Sequence, residues 1–368
     1  MSEKDPLPPH QAVVLLNFGG PGNLEEVSDF LYEILRDPNT IQMPMPLWFQ
    51  NRLARRISAK RGEVVAQQYQ AIGGKSPIIE ATEQQRLHLE AALRQRGSSV
   101  QVYVAHRYIA GNTEKVIQHM LQDRMDDIYL LPLYPHYSQA TTGSSLEQFC
   151  QRLTQGGFCG KIQALRSYPT HPDYIAGLSE QLQQALIQHN LDPHHTRILC
   201  SAHGLPQSYI DRGDPYLMEL LATVEELRKH FRQWQFDLCF QSRVGPAKWL
   251  QPYTDELIQQ LPEQGVQSIL FVPLSFVNDH LETLFEIDHT YFELARSVNL
   301  TPYRMPALET HPRFIHLFCE QTLLWEQGLQ GIDPVLLFPA SQHFRRYDQW
   351  LLYTWSIAFL TALLFALQ

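Results

Sequence analysis

The chain has 368 residues, of which 44% are hydrophobic and 18% charged, a composition typical of a globular protein long enough for two domains. Its formal net charge of −9 argues against a nucleic-acid partner, because binding the phosphate backbone requires a basic surface. The five cysteines show no CxxC or zinc-like spacing, which indicates reduced thiols in a cytosolic body, and the start, MSEKDPLPPHQ, does not predict a signal peptide.

Short apolar runs alternate along the chain with amphipathic helical patterns. The runs predicted as buried strands are 13–16, 101–105, 128–133, 198–200, 238–241 and 268–274. The segments predicted as helices are 23–35, 81–95, 177–188 and 219–233. This alternation is typical of parallel sheets with helices on both faces, in which ligands bind beyond the carboxyl ends of the strands.

Two segments of the chain resemble one another. Residues 128–138, IYLLPLYPHYS, and 269–279, ILFVPLSFVND, carry Ile, Pro and Leu at matching places. Each is an apolar strand followed by Pro-Leu and a loop that leads toward a helix. We therefore predict an α/β fold with two similar domains, 1–160 and 161–328, followed by a linker at 329–348.

Apolar and basic residues occur together near the N-terminus, in MPMPLWFQNRLARRISAKRG at 43–62. The basic residues are Arg52, Arg55, Arg56, Lys60 and Arg61. Apolar surface beside guanidinium groups fits a flat apolar ligand that carries carboxylates, or an anionic membrane surface. An ordinary amphipathic helix with a basic side is an equal alternative. The glycine-rich stretches 18–23 and 73–77 match neither the dinucleotide pattern nor the P-loop.

A single histidine, His203, follows the apolar run 198–200 in ILCSAHGLPQSYIDRGDPY. Gly204 and Pro206 come directly after it and predict a sharp turn. Taken alone, such a residue is more often a core histidine at the end of a strand. A catalytic role needs partner side chains from elsewhere in the sequence.

The strongest candidate cluster comes after the apolar run 268–274. Read as a helix that begins near Asn278, this segment places five side chains on one face at steps of three and four, namely Asp279, Glu282, Glu286, His289 and Glu293. A solvated stripe is one interpretation. The other is passage of a divalent cation, assisted by His280 and His289, because like charges at this spacing destabilise a helix. The two interpretations carry equal weight.

The last twenty residues, 349–368, carry no charge and would form about 30 Å of helix, the thickness of a bilayer core. Arg345 and Arg346 precede this run, and aromatic residues lie near the same end. A basic flank with an aromatic belt predicts a transmembrane helix that anchors the body on the cytoplasmic side of a plasma or thylakoid membrane. A buried last helix is the alternative.

Several motifs, in this order, resemble those of the ferrochelatase family. They are LLNFGGPGNLEEVSDFL, YQAIGGKSPI, HRY, LYPHYSQATTGSS, SAHGLPQSYIDRGDPY, QSRVGPAKWLQPYTDE and FVPLSFVNDHLETLFEID. The resemblance extends from about residue 13 to residue 316, and the apolar tail is similar to that of cyanobacterial and plastid members. It implies two Rossmann-like chelatase domains around a porphyrin cleft, and the insertion of Fe²⁺ into protoporphyrin IX as the final step of haem synthesis.

The resemblance also implies which residues act. His203 and Glu282 would be catalytic, and the residues that meet the metal would be His203, Glu282, Asp279, His280 and Glu286. The porphyrin pocket would be lined by Phe18, Tyr69, Ser76, Arg107, Tyr108, Tyr134, Ser138 and Trp249. Arg55, Arg56 and Arg61 would lie on a lip over the cleft, and this group or Arg107 would pair with propionates. Whether His203 or Glu282 meets the metal first, and which takes the pyrrole proton, stays open.

Iron would be a substrate and not a resident cofactor. Gln139 stands where animal members have a cysteine, and their cysteine-bearing tail is absent, so we expect no iron–sulfur cluster. The alternatives are a chelatase of the same fold for coproporphyrin or cobalt, and a non-catalytic, membrane-tethered tetrapyrrole carrier. The protein partner is left open between a second copy of the chain and an upstream enzyme of the porphyrin pathway.

Overall fold

The computed structural model describes residues 10–38, 46–245, 247–329 and, as backbone, 335–338. Its strands are β1 (Gln11–Asn17), β2 (Gln101–His106), β3 (Asp127–Pro132), β4 (Lys161–Leu165), β5 (Thr196–His203), β6 (Gln235–Gln241), β7 (Ser268–Pro273), β8 (Thr301–Arg304) and β9 (Val335–Phe338). Its α-helices are α1 (Val27–Leu35), α2 (Leu47–Ala71), α3 (Ile78–Gln95), α4 (Asn112–Gln122), α5 (Ser144–Gln155), α6 (Pro172–Gln188), α7 (Gln207–Asp211), α8 (Tyr216–His230), α9 (Thr254–Gln260), α10 (Phe292–Ser297) and α11 (Pro312–Glu326). A 3₁₀ turn covers Leu261–Gln264, and π-helices cover Gln139–Gly143 and Glu282–Tyr291, the second of which we call the acidic helix.

The strands form two separate sheets. The first has the order β2-β1-β3-β4-β9, in which β9 alone pairs antiparallel, and the second has the order β6-β5-β7-β8 with parallel pairs throughout. The central strands β1 and β7 are almost entirely buried apolar runs, as parallel sheets covered on both faces require. The predicted α/β class with two parallel-sheet halves is therefore confirmed.

The structure places three strands that the sequence patterns did not predict, namely β4, β8 and β9. β4 pairs with β3 in the first sheet, although the predicted boundary assigns it to the second domain. β9 falls inside the predicted linker and pairs with β4. All three are short strands of four or five residues, too short to show a clear apolar pattern. The division into domains itself stays a prediction.

The two halves share a continuous core. Helix α11 packs between α3 of the first half and α6 of the second. Leu89 of α3, Leu182 of α6 and Phe314 of α11 are completely buried in one cluster that reaches both sheets. Polar groups add to this contact, because the Asn17 amide donates to Asn278 Oδ1 at 3.1 Å across the joint.

The predicted transmembrane helix at 349–368 lies outside the described residues. Among the helices of residues 10–38, 46–245 and 247–329, none is both long and apolar enough to span a bilayer.

We expect Phe271→Ala to lower the free energy of unfolding by about 3–5 kcal/mol. Phe271 of β7 is completely buried, and its ring lies 6.2 Å from Tyr291 and 6.1 Å from Phe292, between centroids. Urea denaturation would measure the loss. Met218→Ala on α8 is the control, because the Met218 side chain is 68% exposed and its removal should change stability by less than about 0.5 kcal/mol. Equal losses in the two variants would contradict this packing.

Candidate active site

His203 and Glu282 meet at the carboxyl edge of the second sheet. His203 is the last residue of β5, and Glu282 is the first residue of the acidic helix, which follows the neighbouring parallel strand β7. His203 Nδ1 lies 3.0 Å from Glu282 Oε2, although the two residues are 79 positions apart in the sequence. The structure therefore joins the two side chains that the motifs singled out, and it does so at a strand edge where ligands of parallel sheets bind.

The backbone of His203 is held from both sides. Its N–H donates to Ser275 Oγ at 2.6 Å, and its carbonyl oxygen accepts a hydrogen bond of 3.0 Å from the Tyr216 hydroxyl. Gly204 is needed next, because a Cβ at this position would lie 2.9 Å from the carbonyl oxygen of Gln241 and 3.2 Å from the Trp249 ring. The turn predicted after His203 thus has a packing reason.

Glu282 has two further polar neighbours. Gln241 Nε2 donates to Glu282 Oε2 at 3.2 Å, and His280 Nε2 lies 3.9 Å from the same oxygen. His280 Nδ1 lies 3.1 Å from the carbonyl oxygen of Asn278, so this nitrogen is the donor. A small cavity beside the pair is lined by Ser201, His203, Gln241, Pro273, Ser275, Phe276, His280, Glu282, Thr283 and Ile287.

His203 and Glu282 shift one another's pKa in opposite directions. Burial by itself lowers the pKa of His203, but the charge of Glu282, its hydrogen bond and the charge of Glu286 outweigh burial and raise that pKa. Burial by itself raises the pKa of Glu282, but His203 and His280 outweigh it and lower that pKa. Because Nδ1 of His203 is bound to the carboxylate, Nε2 is the ring nitrogen left to take a proton.

The acidic stripe does not lie on one face. Glu286 accepts hydrogen bonds from Ser242 N at 2.9 Å and from the Tyr291 hydroxyl at 3.0 Å. Asp279 binds Arg304 instead, at 2.8 Å. The predicted single face is wrong because the segment becomes helical after Asp279 and then winds as a π-helix, which changes the spacing of its faces.

The metal assignments of His203, Glu282, Asp279, His280 and Glu286 stay predictions. Within the part of the chain that the structure describes, no group of three or more His, Cys, Asp and Glu side chains has the arrangement of a metal site. His289 and Glu293, which the sequence pattern placed on the same stripe, are exposed. The Asp279 carboxylate forms an ion pair with Arg304 and does not contact Glu282 or His203.

Arg107 already has a carboxylate partner within the protein. Its buried guanidinium pairs with Asp37 and also contacts Ser144. The Tyr108 hydroxyl donates to the same Asp37 carboxylate at 3.0 Å. The charge of Arg107 is thus neutralised inside the protein, and its pairing with a propionate stays a prediction.

A family profile described as Ferrochelatase matches residues 10–323. The chain belongs to the ferrochelatase family. Ferrochelatases of Synechococcus sp. (strain RCC307) and Geotalea uraniireducens (strain Rf4) are 39% and 41% identical to it, over 348 and 310 residues. The first alignment covers 92% of this chain and 88% of the relative, and the second covers 84% and 96%. Like other members, the chain is a porphyrin metal chelatase.

A solved structure supports the fold alone. SirB from Bacillus subtilis with Fe³⁺ has a TM-score of 0.50 and 12% sequence identity, and the match covers 85% of this chain and 94% of SirB. The chelatase-like arrangement of the two sheets therefore extends beyond the ferrochelatase family.

Six of the eight predicted porphyrin-pocket residues are buried in this ferrochelatase-family fold, namely Tyr69, Ser76, Arg107, Tyr108, Tyr134 and Ser138. Phe18 and Trp249 are half-buried. Tyr134 lies near the active site, with its ring centre 6.4 Å from that of Phe276, which lines the cavity. Ser138 is bound to Asp214 through its hydroxyl, which donates at 3.0 Å. Their contact with porphyrin stays a prediction.

Helix α2 carries the predicted lip arginines. Arg56 and Arg61 are exposed, whereas the Arg55 guanidinium lies 5.1 Å from the centre of the Tyr32 ring. Trp48, at the start of the same helix, is 69% exposed. Near its other end, Tyr69 packs in a cluster with Leu281, directly before Glu282. Met43 and Met45 of the predicted lip lie outside the described residues.

Sequence reasoning missed several residues that support the site. Three of them lie inside the motifs quoted above, namely Gln241, Ser242 and Tyr216. Those motifs therefore already indicated this part of the chain as functional. Asp37 and Arg304 occur in no such motif, and only the fold brings them to their partners.

We expect Glu282→Gln to lower the pKa of His203. The change removes the charge that favours the imidazolium, whereas the effect of burial remains. A raised pKa stabilises the folded state below the ordinary histidine pKa of about 6.5, and this stability is lost as the pH rises through the folded value. The variant should therefore lose stability mainly at low pH.

NMR titration of the His203 ring protons would measure the shift, with His203→Ala to assign the signal. Glu225→Gln, on the exposed side of α8, is the control and should leave the titration unchanged. A His203 pKa that is the same with glutamate and glutamine at 282 would refute the effect of Glu282 on His203.

Proposed function

We propose that the chain inserts Fe²⁺ into protoporphyrin IX, with His203 as the acceptor of pyrrole protons and Glu282 as the carboxylate that stabilises the resulting imidazolium. The observation that carries this proposal is the 3.0 Å contact between His203 Nδ1 and Glu282 Oε2 at the edge of the second sheet. The porphyrin loses two protons and gains a dication, so the iron keeps its oxidation state.

His203 suits proton removal because its free nitrogen points away from its carboxylate partner. Within the described residues, Nε2 makes no hydrogen bond, whereas Nδ1 is held by Glu282. A raised pKa makes the imidazole a better proton acceptor. The side chains of His203 and Glu282 are 35% and 23% exposed, so the first proton has a path to solvent before the second is taken.

The metal would approach through oxygen and imidazole ligands. Glu282 Oε2 and His280 Nε2 face one another at 3.9 Å, and Glu286 follows one turn along the acidic helix. Carboxylate and imidazole ligands suit Fe²⁺ and would release it more readily than thiolates. Asp279 is left out of this route because Arg304 already binds it.

Iron is a substrate in this proposal, and no resident cofactor or iron–sulfur cluster is required. Gln139, which stands where animal members have a cysteine, begins the first π-helix and accepts a hydrogen bond from Tyr137 through its side chain.

A porphyrin with an apolar ring and two propionates would bind between the halves. Arg56 and Arg61 are exposed cations on α2 that would pair with its propionates.

We further propose that residues 349–368 anchor the enzyme to a membrane with its body on the cytoplasmic side. The support is the charge-free run of twenty residues and the two arginines that precede it.

We expect His203→Ala and Glu282→Gln each to lower kcat for metal insertion by about 10²–10⁴-fold. The proton acceptor is lost in the first variant and its counter-charge in the second, while most porphyrin contacts remain. Loss of porphyrin fluorescence during Fe²⁺ or Zn²⁺ insertion would measure the rate. His230→Ala, at the exposed end of α8, is the control. If both site variants keep most of the wild-type kcat, the assigned roles are wrong.

We expect deletion of residues 345–368 to move the protein from the membrane fraction to the soluble fraction while metal insertion in detergent is retained. A full-length variant with Ile357→Arg and Leu360→Arg should also leave the membrane, because each arginine near the centre of a span costs about 2.5–3.5 kcal/mol. A chain that sediments with membranes without its tail would contradict the anchor.

A further inference from the structure

Arg304 joins two carboxylates that flank the catalytic pair. It is the last residue of β8, and its guanidinium donates to Asp279 at 2.8 Å and to Asp288 at 2.7 and 3.0 Å. Its side chain is 11% exposed, so both ion pairs are largely removed from water. Asp279 lies before the acidic helix and Asp288 lies inside it, with Glu282 and Glu286 between them.

The acidic helix lies across the carboxyl edge of the second sheet and is held along that edge. Ser242 follows β6 and binds Glu286. His203 ends β5 and binds Glu282. Arg304 ends β8, on the other side of β7, and binds the two aspartates. Two carboxylates thus face the reactive side, and two face the edge strand.

The contacts of Arg304 depend on the π winding of this segment. Asp288 follows Glu282 by six residues along the chain, a separation of about one and two-thirds turns in an α-helix. In a π-helix, whose hydrogen bonds run from residue i to i+5, the same six residues make only about one and a third turns. Rewinding the segment as an α-helix would therefore rotate Asp288 relative to Glu282 by about a third of a turn. Asp288 could not then face Arg304 while Glu282 faced His203.

Charge gives a second reason for this arrangement. The segment 279–293 carries Asp279, Glu282, Glu286, Asp288 and Glu293. Carboxylates this close destabilise a helix unless cations compensate them. Arg304 is partly buried and bidentate toward Asp288, the geometry in which a guanidinium binds most specifically. It neutralises the two aspartates that the catalytic pair does not use.

We propose that Arg304 is a positioning residue, which holds the acidic helix in its π winding and so places Glu282 against His203. This inference rests on the proposed roles of Glu282 and His203. Arg304 touches neither of them, so it acts through the backbone between its two aspartate partners.

The test compares Arg304→Gln with Arg197→Gln. Arg197 is the matched control because it is also a poorly exposed arginine of the second sheet, 15% against 11%, and pairs with Asp237 at 2.8 Å. It lies near the start of β5, at the end opposite to His203. Hydrogen exchange of peptides covering 282–291 would be measured without porphyrin or metal, and kcat and KM would be measured with both.

We expect Arg304→Gln to speed exchange in 282–291 and to lower kcat by roughly 10- to 100-fold, with the porphyrin KM changed less than about twofold. Arg197→Gln should leave exchange in 282–291 and kcat unchanged at a similar loss of Tm. Arg304→Lys should recover Tm but not the full kcat, because an ammonium group cannot reproduce the fork that binds both carboxylates.

Three results would overturn the proposal. The first is unchanged exchange in 282–291 in Arg304→Gln. The second is faster exchange with a wild-type kcat, and the third is an equal fall of kcat in Arg197→Gln. If Arg304→Gln does not fold, Asp288→Asn removes one of the two ion pairs and should give smaller changes of the same kind. The exchange experiment uses no substrate, so it tests Arg304 even if the wild-type chain inserts no metal.

Discussion

The hydrogen bond between His203 and Glu282 is the interaction on which the candidate active site depends. A carboxylate in a largely enclosed position is stable only with a cation or strong donors nearby, and His203, Gln241 and His280 provide them. The pair exists because β5 and β7 are neighbours in a parallel sheet, which brings the end of one strand and the helix after the other to the same edge. That geometry supports the proposed role of the His203 imidazole as a proton acceptor.

The protein handles its other buried charges by neutralising them in place. Arg107 and Asp37 pair in the first half, and Arg304 binds Asp279 and Asp288 in the second. Removing one partner of such a pair leaves an uncompensated charge, so these residues are needed for the fold even where they touch no substrate. What remains available for chemistry is the small set of groups around the cavity.

The joint between the two halves brings first-half residues close to the second-half site. The Asn17 amide binds Asn278, whose carbonyl oxygen in turn lies beside His280 Nδ1. Tyr69 of α2 packs with Leu281, the residue before Glu282. A ligand between the halves would therefore meet groups from both.

The sequence by itself determined the fold class, most central strands and the two residues, His203 and Glu282, that meet at the candidate site. Buried parallel strands are long apolar runs, and the SAHGLP and NDHLET motifs carry the side chains at the strand ends. Only the tertiary structure decided which carboxylate contacts His203 and which is paired with Arg304. Asp279 and Glu282 look equivalent in a helical pattern, but the π winding and Arg304 from the short strand β8 separate them. Likewise, nothing in the sequence near Arg107 indicates Asp37, because a contact across 70 residues is set by the packing of the chain and not by local spacing.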